Sequence, residues 1–145
     1  MGTIGLKVLT MSVLDLLFKS KAERERLAHM RDLVLMMTAD GKIDDNEMAL
    51  IASIASREGI SESDIKRCIS KPGSIKFVAP DTEKKRAMYL MDMVTLMMID
   101  GDINDLERQF CKATAVKLGY KPEVVDALLL GMIGTIKAEM EKRMQ

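Results

Sequence analysis

The sequence predicts an all-α fold, a single-domain helical bundle of about seven helices built from two pseudo-symmetric helical repeats. Three observations predict it. Apolar residues recur at three- and four-residue spacing and do not alternate. Proline and glycine fall at only a few places, as punctuation between those periodic stretches. A 60-residue shift of the chain superimposes its two halves.

The elements follow in order. A first helix is expected over about residues 6–19, where Leu6, Val8, Leu9, Met11, Val13, Leu14, Leu16, Leu17 and Phe18 leave only a narrow polar strip. A second covers about residues 22–39. The third runs over 45–58 and stops at Gly59. Ser61, with Asp64 three residues on, caps a short fourth helix that ends at Lys71-Pro72-Gly73. The stretch to Pro80 is the one longer connection. Asp81 and Thr82 open a fifth helix to about Ile99, and a sixth spans 105–118 before Gly119. Pro122 suits the first turn of the last helix.

With 145 residues the chain fits one domain, and that length buries roughly two-thirds of the unfolded surface. Apolar residues at 48% with charged residues at 30% exclude a disordered chain. Because aromatics reach only 3% and Trp is absent, the interior must be filled by Leu, Ile, Val and the 14 Met. The soft-metal reading of Met36, Met37, Met88, Met91, Met93, Met97 and Met98 therefore yields to core filling. Twenty-two basic and 22 acidic residues cancel, so no overall field favours nucleic acid or an anionic membrane. Two cysteines, Cys68 and Cys111, are too few for a disulfide framework and lack metal-binding spacing; reduced thiols and a cytoplasmic location are expected. The apolar start lacks a basic leader and contains Asp15, which argues against a cleaved signal. The run 127–136 is short of the roughly 20 residues that span a bilayer.

In the two halves, Val34, Met37, Asp40, Gly41, Ile43, Asp45, Glu47, Ala55 and Gly59 fall on Val94, Met97, Asp100, Gly101, Ile103, Asp105, Glu107, Ala115 and Gly119, and Asp32 falls on Asp92. The repeats extend over about residues 22–70 and 81–136. Each contains an acidic turn, Asp40 to Glu47 and Asp100 to Glu107, with four carboxylates apiece. Local structure explains part of it. Gly41 and Gly101 can end a helix in the left-handed conformation. Asp44 and Asn104 are N-caps, and Glu47 and Glu107 stand where a capping box places its acid. Asp40 and Asp100 are left over, since a carboxylate at a helix C-terminus opposes the macrodipole at a cost of roughly 0.3–1 kcal/mol.

Measured against an EF-hand loop, Asp40, Gly41, Ile43, Asp44 and Glu47 occupy the fifth, sixth, eighth, ninth and twelfth positions, and the second turn matches in the same way. Met36 and Thr38, or Leu96 and Met98, stand where the first ligands belong, so neither turn is a complete calcium loop. Hard oxygen ligands suit a divalent cation, Ca²⁺, Mg²⁺ or Mn²⁺, at Asp40, Asp44, Glu47, Asp100, Asp102 and Glu107. Pure capping and an acidic docking surface remain the alternatives.

A helix followed by DGxI and a Glu four residues after the Ile, twice in a small helical chain, resembles the tellurite-resistance TerB family over about residues 22–136. The resemblance implies a helical bundle with an acidic, metal-binding surface, a role in bacterial stress responses and a protein partner associated with membranes. It implies an acidic site at Asp40, Glu47, Asp100 and Glu107. Tellurite resistance itself does not follow from it. Catalysis is not expected, because His29 has no nucleophile beside it in sequence. The first helix is expected to pack on its own bundle, with homodimerisation through it and a membrane surface as alternatives.

Overall fold

The computed structural model describes residues 17–39, 41, 44–99, 101 and 103–144. Among these the protein is all-helical and contains no strand. Six α-helices are formed: α1 (Lys21–Thr38), α2 (Asp45–Glu58), α3 (Glu62–Ser70), α4 (Glu83–Met98), α5 (Asp105–Lys117) and α6 (Glu123–Arg143). A 3-10 turn, Pro72–Ser74, follows α3. The expected helix over 6–19 lies almost wholly outside the described residues; Leu17 and Phe18, its last apolar members, are exposed.

The helix ends fall where capping chemistry puts them. Ser20 Oγ accepts from Glu23 N, Ser61 Oγ from Asp64 N and Thr82 Oγ1 from Lys85 N, at 3.1–3.2 Å. Each bond satisfies one of the amides that a helix start leaves without a partner. Gly59 ends α2 at φ 67° and Gly119 follows α5 at φ 91°, a left-handed conformation closed to ordinary side chains at low cost. Ile60 N and Tyr120 N then return to the carbonyls of Ala55 and Ala115, both at 2.9 Å.

Helix α1 is the centre of the bundle. It packs on α2, α3, α4 and α5, while α4 packs on α1, α5 and α6. Ten of its 18 residues are buried, so it meets core on several sides and not along one stripe. Both central helices bury the same register: Met30, Leu33, Val34, Met36 and Met37 in α1, and Leu90, Met93, Val94, Leu96 and Met97 in α4. These pairs are 60 residues apart. Methionine fills the gaps that aromatics leave, and each fully buried side chain of this size contributes roughly 1.5–3 kcal/mol. Met88 and Met91 do otherwise, since they line surface cavities.

The connection from α3 to α4 is fixed from two directions. Arg67 Nε and Nη2 donate to the hydroxyl and carbonyl oxygens of Ser74, at 3.0 and 2.9 Å. Arg31 Nη1 donates to the Ile75 carbonyl, and Ile75 itself is buried in the core.

Cys68 and Cys111 are both free and buried. Burial pushes each thiol up to about 12, with Asp64 adding to the effect at Cys68. The thiolate is the reactive form. At pH 8 both are therefore expected to react with an aromatic disulfide reagent only as fast as the protein opens, and at once in denaturant. A native reaction as fast as the denatured one contradicts the burial.

Among the described residues no helix is long and apolar enough to cross a membrane.

Candidate functional site

The two acidic turns share their local geometry. Gly41 and Gly101 have φ of 75° and 79°, and their amides return to the carbonyls of Thr38 and Met98, both at 3.0 Å. One Asp44 carboxylate oxygen accepts from Asn46 N at 2.7 Å and Glu47 N at 3.3 Å. Asn104 Oδ1 accepts from Leu106 N at 2.7 Å. The predicted N-caps thus act as caps.

Glu47 and Glu107 are 5% and 4% exposed, each in the first turn of its helix. A carboxylate there interacts favourably with the positive end of the helix dipole. Asp40, Asp100 and Asp102, the other proposed ligands, lie outside the described residues. Among the described residues no group of three His, Cys, Asp or Glu side chains is placed to hold a metal ion. Of the three proposed ligands among the described residues, then, Asp44 is a half-buried cap and Glu47 and Glu107 are buried.

A second polar cluster lies between α1 and α4. The rings of His29 and Tyr89 stack with centroids 4.3 Å apart and planes 18° off parallel. Tyr89 Oη donates to Asp32 Oδ2, one turn along α1 from His29. His29 Nε2 lies 3.1 Å from Asp92 Oδ2, one turn along α4 from Tyr89. That contact is off the line of the ring N–H, so it is a close polar contact and not a well-formed hydrogen bond. Each ring thus reaches the aspartate of the opposite helix, and both ring and aspartate pairs are separated by 60 residues.

Each aspartate also holds an arginine. Arg31 Nη2 and Nε donate to Asp32 Oδ1 at 2.9 and 3.2 Å. Arg57 of α2 grips Asp92 through both terminal nitrogens, the shorter bond 2.6 Å. Burial of Asp92 favours its neutral acid, but the neighbouring His29 and the bonds and charge of Arg57 outweigh this and hold its pKa below the ordinary value. Burial drives Tyr89 well above the ordinary phenol value, and the Asp32 charge adds to it, so Tyr89 remains a neutral donor.

A depressed aspartate stabilises the fold at pH above its unfolded value, near 4, and that contribution is lost as pH falls through the lower folded value. Asp92→Asn is expected to cost about 1–2 kcal/mol at pH 7. Urea unfolding at pH 7 and again near pH 2.5 checks it: the gap between the two proteins should narrow in acid. A gap that stays constant means that the Asp92 charge is not what stabilises the site.

Beside the stacked rings a cavity of about 330 Å³ opens between the start of α1 and the start of α4, with His29, Tyr89, Glu25, Arg26, Lys84 and Met88 in its wall. Comparison with known families, with characterised proteins and with solved structures finds no match for the chain. The site therefore rests on its own chemistry.

Sequence reasoning missed the ring pair and the cavity. Asp32 and Asp92 coincide under the 60-residue shift, and His29 and Tyr89 do so as well, but as different residue types. Testing that shift for ring-bearing residues, and not only for identities, finds the pair.

Proposed function

We propose that this chain is a TerB-like, non-catalytic binding domain, made by duplication of a helical unit, whose paired acidic turns hold a divalent cation, Ca²⁺, Mg²⁺ or Mn²⁺. The reading is carried by one observation. Two turns 60 residues apart combine a left-handed glycine, a capping Asp or Asn and a buried glutamate in the same order. Capping accounts for Asp44, Asn104, Glu47 and Glu107, yet it has no use for an aspartate before each glycine. The crossed His29–Asp92 and Tyr89–Asp32 contacts support the duplication, because a two-fold relation between the halves generates one from the other. The resemblance adds a role in a bacterial stress response, and the two reduced cysteines are the ground for a cytoplasmic location.

Calorimetric titration of chelator-treated protein with each of the three ions tests the proposal. Saturable heat and a raised melting temperature are expected. No heat and no melting shift at millimolar metal overturn it.

A second reading, a metal-independent helical interaction module, is favoured by the outer face of α6. Leu130, Ile133, Ile136 and Met140 are 72%, 45%, 52% and 61% exposed there, at helical spacing. In this reading the acidic turns are the docking surface for a basic partner, and the α6 face offers a separate apolar contact. Capture of such a partner that disappears on adding EDTA refutes the metal-independent version.

A further inference from the structure

The cavity between α1 and α4 has a charge balance that the acidic turns do not share. Its wall contains two carboxylates, Glu25 and Glu58, and both are already met by cations. Lys21 Nζ and Lys85 Nζ stand 3.9 and 4.0 Å from opposite oxygens of the buried Glu25. Arg57 Nη2 is 3.1 Å from Glu58 Oε1. Arg26 and Lys84 are also in the wall, and among the described residues neither has a hydrogen bond or ion pair. Lys21 and Arg57 are also held by Asp81 and Asp92, so four carboxylates face five cations around the cavity and one positive charge is left over, in a chain whose net charge is zero.

Apart from Thr82, whose hydroxyl oxygen accepts from Lys85 N, the remaining wall is apolar or aromatic. Ala22, Pro80 and Met88 line it beside the His29 and Tyr89 rings. Pro80 and both rings are buried, and the crossed aspartates hold the rings from behind, so this wall is set before any ligand arrives. His29 is a further polar group of the wall whose side chain is only 9% exposed and whose Nε2 has no well-formed hydrogen bond. A volume of about 330 Å³ is at the small end of the range for organic ligands. A hydrated inorganic anion would leave the apolar wall without a partner, and a neutral apolar molecule would leave the two cations without one.

We propose that this cavity binds a small organic anion, an apolar or aromatic body bearing one carboxylate, sulfonate or phosphate. The body lies against Met88, Pro80 and Tyr89, and Arg26 and Lys84 receive the anionic group. The proposal is independent of metal binding at the acidic turns.

The test uses the full chain and two fluorescent probes of similar size, the anionic anilinonaphthalene sulfonate and the neutral phenylnaphthylamine. The sulfonate is expected to bind saturably at one site, more tightly than the neutral probe, and to weaken as salt is raised. The double variant R26M/K84M keeps apolar stems and removes both charges, and should bind the sulfonate about tenfold more weakly while the neutral probe is little changed. M88E, at an exposed position on the wall, should weaken the sulfonate too, and decides the matter if the double variant fails to fold. I133K, on the exposed face of α6, should leave it unchanged. Equal binding by R26M/K84M or M88E, loss of binding in I133K, or no saturable signal at about 1 mM probe overturns the proposal.

Discussion

Asp32→Ala is expected to lower stability by about 3 kcal/mol, and the melting temperature by about 10 °C, because it leaves a buried guanidinium without its counter-charge. Asp32 is 3% exposed and the Arg31 side chain 11%. Its carboxylate receives Arg31 on one oxygen and Tyr89 on the other. Removing it leaves Tyr89 with the Ala28 carbonyl at 3.2 Å and Arg31 with the Ile75 carbonyl, but takes away the counter-charge of the guanidinium where water does not readily replace it. Tyr89→Phe is the informative contrast. The ring and its stack on His29 remain, only one donor is lost, and Asp32 keeps Arg31, so a cost of about 1 kcal/mol is expected. Denaturant unfolding of both variants at neutral pH measures the difference. Equal costs would mean that the tyrosine bond, and not the arginine pair, is the main interaction of Asp32. A cost below about 1 kcal/mol for Asp32→Ala would show that the cluster adds nothing that packing does not supply.

The helix boundaries were legible because local chemistry sets them. The expected third helix, 45–58, coincides with α2, and Gly59 stops it as a left-handed residue. Ser61, Thr82, Asp44 and Asn104 cap because each side chain meets an amide two or three residues away, a contact decided within one turn. The central position of α1 was not legible. Its composition is no more apolar than that of its neighbours, and its burial follows from which helices surround it. The same holds for the ring pair and the cavity. His29 read alone is one polar residue on an amphipathic stretch; its meaning comes from Tyr89 and Asp92, about 60 residues away. Glu47 and Glu107 lie between these cases. Their place in the capping pattern could be read from spacing, whereas their burial, which limits their reach toward an ion at the surface, depends on the bundle.

That burial sharpens the last expectation, which concerns the aspartates before the two glycines. Asp40 follows α1 by two residues, and Asp100 follows α4 by two. Neither place benefits from a negative charge at the end of a helix. If the pair serves a cation, Asp40→Asn and Asp100→Asn together keep the polar turn residue and remove two anionic ligands. Stability in chelator should hold or rise slightly, and affinity for Ca²⁺, Mg²⁺ or Mn²⁺ should fall by more than tenfold. Glu47→Gln with Glu107→Gln separates the roles further. Gln also serves at that position of a capping box, so the helices should persist. Because both glutamates are buried, this second pair should lower metal affinity less than the first. A double Asn variant that melts several degrees lower in chelator would show that the aspartates hold the turns themselves, and the cation reading would then be abandoned. A Gln pair that loses more affinity than the Asn pair would place the cation deeper, against the helix starts, with the glutamates as its principal ligands.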